Sequence, residues 1–364
     1  TIETGNDATI ALPAPAGTGS LAANKALVVD GVAPLLTSVT SAVADGNYMI
    51  GDTIPVSIVF DDTVYSIGTP QISLVTSSSG NTLVNYSTGS GSPVLIFDYV
   101  VEGGHESNDL DYTNTSALTL NGGTIKDFSG NNATLTLILP GNTGSLGNNK
   151  DLVVDGIIAA VSGVTSAEID GYYNIGDTLD ITVSLTETVN VTGTPQLDLE
   201  TGSVDHSANY ISGSGSEIIT FQYIVQAGDA SSDLDYLSNT ALDLNGGTIN
   251  DVAGNSAEVS LAAPGAAGSL SSIKSLIIDG GAPVVTMVSS QTSDGTYIIG
   301  DTLNINITFN ENIYVSGSPQ LTLETGSNDA TSSFVSGDSS TIISFRYIVE
   351  NGHNSGDLDY KYSH

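Results

Sequence analysis

Residues 179–185 read Leu-Asp-Ile-Thr-Val-Ser-Leu, apolar and polar side chains in strict alternation. A period of two puts every second side chain on one face of an extended chain, so this stretch predicts a half-buried β-strand. Residues 54–60 (IPVSIVF) and 303–309 (LNINITF) carry the same pattern, as do 218–225 (IITFQYIV) and 342–349 (IISFRYIV). Clusters of Gly, Pro, Asn and Asp separate these runs, and no stretch has a helical period.

The strands are copies of one another. Leu-Val-Val-Asp-Gly at 27–31 returns at 152–156, and as Leu-Ile-Ile-Asp-Gly at 276–280. Tyr-x-x-Gly-Asp starts at Tyr48, Tyr173 and Tyr297, and Asp-Leu-Asp-Tyr ends at Tyr112, Tyr236 and Tyr360. Leu27, Leu152 and Leu276 are spaced by 125 and then 124 residues, the length of a whole domain rather than a solenoid coil. The expected organisation is residues 1–30 as the last strand and linker of a split repeat, then repeats at 31–155, 156–279 and 280–364, the third without its last strands. About seven short strands in roughly 100 residues describe an immunoglobulin-like sandwich. The predicted fold class is all-β: tandem immunoglobulin-like/cadherin-like β-sandwiches in an extended array. In the middle repeat, strands are expected near 160–166, 179–185, 196–200, 207–212, 218–225, 241–249 and 257–261, with 268–279 as a tail into the next repeat. Tyr236 falls just before the sixth of these, where its hydroxyl is expected to tie a corner to backbone.

Forty acids against six cations give a formal net charge of −34. Such a surface disfavours nucleic acid and anionic membrane, and suits hard cations. Scattered acids also serve solubility alone. With no Cys there is neither a disulfide framework nor a thiolate metal site. No apolar run approaches the roughly 18–20 residues that span a bilayer. The sequence begins at Thr1 rather than Met, which reads as a mature or excised piece of a longer product.

Placed on the sandwich scheme, the recurring acids gather where repeats meet. At the first junction these are Asp45, Asp52, Asp109 and Asp111 from the first repeat and Asp155 from the linker. Glu187, Asp251 and Asn255 join them from the second. At the next junction the set is Asp170, Asp177, Asp233, Asp235, Asp279 and Glu311. Carboxylates converging from several segments repel unless a cation sits among them, and Ca²⁺ accepts such a flexible oxygen cage better than Mg²⁺. Ions there would stiffen each linker. The competing expectation is that the Gly-Asp and Asp-Gly pairs only form turns, which is sufficient for Gly46 and Gly51.

Four stretches together resemble tandem Ig-like and cadherin-like domains of large bacterial surface proteins and adhesins. They are Tyr-x-x-Gly-Asp, the runs at 60–64 and 309–313, Gly-x-Pro-Gln-Leu at 193–197 and Asp-x-x-Gly-Asn at 251–255. The resemblance covers essentially the whole length and implies secretion, tandem repetition and calcium at the linkers. The linker here has one Asp followed by Gly rather than an acid-rich run, a departure that leaves the ion count per junction open.

Residues 5–9 (Gly-Asn-Asp-Ala-Thr) align with 130–134, the end of a repeat, whereas the sequence stops just after the third Asp-Leu-Asp-Tyr. Two readings follow: a window of a longer repetitive protein, or an N-terminal strand that completes the last repeat of the next copy by β-strand complementation.

Other chemistry has weaker support in the residues. Lys25, Lys150 and Lys274 share one repeat position, where an isopeptide cross-link is conceivable, but their polar surroundings suit solvated ion pairs. His105, His206, His353 and His364 have no metal-ligand spacing, and His105 and His353, at the position of Asp229, read as surface loop variants. No nucleophile elbow, Walker loop or His-Glu-x-x-His stretch occurs. A carboxylate pair repeated in every unit, such as Asp233/Asp235, favours scaffolding over glycosidase chemistry. The expected function is therefore structural and not enzymatic: a secreted, calcium-stiffened array in a bacterial surface fibre or adhesin stalk. Its partners would be further copies or adjacent repeats. The alternative is an adhesive module engaging a glycan or host protein.

Overall fold

The alternation read at 179–185 becomes the first half of one fifteen-residue strand, Thr178–Thr192, in which Leu179, Ile181, Val183 and Leu185 are buried. Its counterparts are Thr53–Ile67 and Thr302–Ile313. The computed structural model describes residues 5, 9–77 and 80–361. His364 and most of the match at 5–9 lie outside them.

The fold is nearly all β, built from several curled antiparallel sheets. In the second repeat the order is Val161–Ser166, Thr178–Thr192, Ser216–Ile224, His206–Ser212, Gln196–Leu199 and Leu242–Asp243. The long strand changes neighbours part-way. Its first half pairs with Ser216–Ile224, its ladder shifts between Ser184 and Val189, and its second half pairs with Thr248–Asp251. This break lets one strand serve both ends of a curled sheet around a single apolar core. The first repeat has the same order and the same shift, between Val59 and Val64.

Three expectations need correction. The strand expected at 241–249 is two, Leu242–Asp243 and Thr248–Asp251, separated by a turn and paired with different strands. Residues 257–261 hold one isolated bridge, Glu258 to Ala160, rather than a strand. The tail ending at Asp279 is more than a linker, since Leu276–Asp279 is the middle strand of a second, three-stranded sheet. It runs parallel to Gly171–Asn174 and antiparallel to Ala230–Ser231. Leu152–Asp155 does the same in the first repeat, beside Gly46–Tyr48 and Glu106–Ser107. A four-residue strand with a parallel partner more than 100 residues away leaves no local periodicity to read. Each tail also carries a buried serine. Ser145 caps the single helical turn Leu146–Asn149 by accepting from Asn148 N–H.

The recurring motifs have local structural duties. In Tyr-x-x-Gly-Asp, Gly51, Gly176 and Gly300 sit at φ 92°, 88° and 94°, where a side chain is strained. The Asp that follows accepts a backbone N–H of the same turn, from Met49, Asn174 and Ile298 respectively. Tyr236 Oη donates to Ala262 O at 2.8 Å and Tyr112 Oη to Ile138 O at 2.6 Å, tying the corner to the tail.

Among the described residues, the buried apolar clusters of the first and second repeats hold 22 and 23 side chains, and that of the third holds five.

Candidate metal centre

Asp155 ends the tail strand of the first repeat, and its neighbour in register is Glu106 on Glu106–Ser107. Glu187 lies where the long strand of the second repeat is between partners, inside the shift from Ser184 to Val189. Asp251 ends Thr248–Asp251, which pairs with the strand's second half, Asp251 opposite Val189. The connection between repeats thus brings Asp155 to the break that already holds Glu187 beside Asp251. One carboxylate oxygen from each lies within 4.8 Å of the others, the one such group among the described residues.

Asn255 holds the connection in place. Asp251 is buried and accepts from Gly254 N–H at 2.8 Å, Asn255 N–H at 2.9 Å and Asn255 Nδ2 at 2.8 Å. Asn255 Nδ2 also donates to Asp155 O at 2.9 Å, and Asn255 Oδ1 accepts Ile50 N–H of the first repeat at 2.9 Å. The preceding copy repeats the arrangement: Asn131 Nδ2 donates to Asp127 at 2.7 Å and to Asp30 O at 3.2 Å. There, however, Asp30 accepts Ser129 Oγ at 2.8 Å, and Asp62 is exposed.

Burial raises the carboxyl pKa of Asp155, and the charges of Asp251 and Glu106 add to the rise. Glu187 is raised in the same way, first by burial, then by Asp155, Asp251 and Glu106. These groups resist ionisation because each faces other anions in a partly dry site. All the donors are hard oxygens, with no His or Cys among them. Three carboxylates supply roughly three to six oxygens, and Ca²⁺ takes about six to eight with tolerant geometry. The residues present fit that ion.

The other expected site residues lie elsewhere. Asp109 and Asp111 face their own tail: a Cβ on Gly147 would stand 3.0 Å from Asp109 Oδ2 and 3.1 Å from Asp111 Oδ2. Asp111 Oδ2 accepts Gly141 N–H, as Asp235 Oδ2 accepts Gly265 N–H and Ser271 Oγ. Asp109 and Asp233 are raised by burial first and by neighbouring acids second. Asp45 pairs with Lys150 at 3.1 Å, and that hydrogen bond holds its carboxyl below the usual range. Asp170 accepts Ser275 N–H, and Lys274 Nζ donates to Glu168 O. Asp52 and Asp177 close turns, as described above. At the second junction, Asp279 Oδ1 and Glu311 Oε1 both lie near Gly281, 3.3 and 3.9 Å from where its Cβ would stand. The third repeat's counterpart of Asp251 falls beyond His364, where the sequence ends.

Glu106 escaped sequence reading because it does not repeat, its counterparts being Ala230 and Asn354. Only its strand register, opposite Asp155, reveals it. His105 and His353 are not free surface variants. Each ring stacks on a tyrosine and shares a hydrogen bond between its Nδ1 and the tyrosine oxygen, His105 with Tyr99 and His353 with Tyr347, both at 2.9 Å. In the second repeat buried Asp229 takes the Tyr223 hydroxyl instead and pairs with His206 at 2.9 Å. No protein-family model matches the chain, and no curated protein matches it.

Proposed function

We propose that this chain is a non-catalytic, extracellular structural protein. In this reading its Ig-like repeats form a tandem array, stiffened by calcium at the junctions, as part of a bacterial surface fibre or adhesin stalk that lengthens head to tail. The observation that carries it is the convergence of Asp155, Glu187 and Asp251 on one point, with Glu106 facing them from the first repeat.

The sandwich reading is supported by the main sheets of the first and second repeats, in each of which residues from the first and last strands share one cluster, as Val164 and Leu242 do with Ile181 and Leu197. A cation at the triad would bridge the connector to the second repeat and cancel repulsion that now loosens the same contact. Losing that freedom is what turns linked beads into a strut, and a strut is useful at a cell surface. The net charge of −34 fits a calcium-rich exterior.

Calcium titration followed by thermal melting and small-angle X-ray scattering tests this. Calcium is expected to raise the melting temperature of the second repeat and narrow the distribution of end-to-end distances, with chelator reversing both and magnesium acting weakly. Melting and scattering curves indifferent to calcium and chelator would reject it.

A further inference from the structure

We propose that the first and second repeats each carry tension along the chain through a parallel clasp, formed where the segment entering the repeat lies beside the tail leaving it. The proposal rests on the surface-fibre reading above and assigns the element that bears the load.

Entry and tail run in step. The chain enters the first repeat through Leu36–Ser41, where Val39 N–H donates to Gly144 O at 2.8 Å. Further on, Gly46 N–H donates to Asp151 O at 3.0 Å, and Gly46, Asn47 and Tyr48 lie opposite Leu152, Val153 and Val154. The second repeat has the same contacts. Val164 N–H donates to Gly268 O at 2.9 Å, Gly171 N–H donates to Ser275 O at 3.0 Å, and Gly171–Asn174 lies opposite Leu276–Asp279. Because the two segments point the same way, the chain arrives at one end of the clasp and departs from the other. Tension applied through the neighbouring connections therefore slides one segment along the other instead of lifting it off.

That direction decides the strength. Pulled across a ladder, backbone hydrogen bonds open one after another, and each is weak on its own. Pulled along it, they share the load and must yield together. The tail is also held from beneath and from its far side. Leu146, Leu152 and Val154 are buried, so sliding drags three apolar side chains through the core. Leu110 N–H donates to Leu152 O at 2.9 Å, and Glu106–Ser107 pairs with the end of the tail. Side chains brace the same line: Lys150 Nζ lies 3.1 Å from Asp45 Oδ1, and Asp170 Oδ1 accepts Ser275 N–H at 3.1 Å. The entry strand offers no easier release. It runs antiparallel to the long strand, Leu36 opposite Phe60 and Ser41 opposite Val56, so tension acts along that ladder too.

Single-molecule force spectroscopy of the 364-residue chain tests the proposal, since a chain without cysteine accepts a pair of thiol handles at chosen positions. Handles at Val32→Cys and Ile158→Cys, two exposed residues flanking the first repeat, load the clasp along its length. Handles at Ile50→Cys and Ile158→Cys both sit at the exit end and peel the tail away. At equal pulling speed the first pair is expected to open the repeat at a several-fold higher force than the second, with matching circular dichroism for the two proteins. The second repeat should give the same ratio, from Ile158→Cys with Ala282→Cys against Ile175→Cys with Ala282→Cys, all at exposed positions. Equal forces in the two directions, or a lower force along the clasp, overturn the proposal whatever calcium does. A several-fold ratio that persists in chelator, in a chain whose melting and scattering ignore calcium, supports the clasp and defeats the stiffening reading alone.

Discussion

The hydroxyl of Tyr236 has one acceptor, Ala262 O, and the ring around it is buried. Burial, with Asp235 adding its charge, pushes this phenol up to about 12, so it stays a donor at any physiological pH. Replacing Tyr236 by Phe keeps the packing and removes one buried hydrogen bond. A loss of about 1 kcal/mol is expected from urea denaturation. The role was legible from the position of Asp-Leu-Asp-Tyr, because a tyrosine before a late strand has few other uses. Asp155 and Glu187 behave differently. Their folded pKa values lie above the unfolded ones, so the native state binds more protons between the two values, and stability falls as pH rises through that window. Without divalent cation, mild acidification from neutral pH is therefore expected to stabilise the wild type relative to Glu187→Gln. Calcium should erase the difference. Thermal melts of both proteins in chelator and in calcium measure it, and a difference of opposite sign would reject the assigned repulsion.

The tail strand explains why its motif ends in Asp-Gly. Gly156 lies so close to the preceding loop that a Cβ would stand 2.2 Å from Glu102 O, and Gly280 would meet Gln226 O at the same distance. Gly156 N–H donates to His105 O at 2.6 Å, and Gly104 N–H donates to Gly156 O at 2.8 Å. Close backbone approach, rather than turn geometry, demands the glycine. Gly156→Ala is expected to cost about 1–3 kcal/mol by forcing the two backbones apart. Hydrogen exchange should then quicken at residues 152–155 while the long strand Thr53–Ile67 stays protected. Alternation made the long strands legible, since each buries one face. The three-stranded sheet was not legible, because its strands have two to four residues and its parallel pairing joins distant segments.

Across the whole molecule, burial is unequal. The first two repeats each enclose more than twenty buried apolar side chains, whereas the third leaves Val284, Val285 and Met287 about half exposed or more. In dilute solution the third repeat is expected to open first, giving unfolding in more than one step, with hydrogen exchange fastest at 285–348. Simultaneous loss of protection in all three repeats would contradict this.

The sequence by itself determined the β-class, the repeat and its length, and the places where acids recur. These follow from side-chain periodicity and self-similarity, which are properties of the chain read in order. Only the tertiary structure decided which acids meet. Asp109 and Asp111 turn to their own tail, while Glu106, with no acidic counterpart in the other repeats, faces Asp155. Meeting depends on strand register and on a ladder break that aims Glu187 at Asp251, and both are set by partners about 30 to 60 residues away.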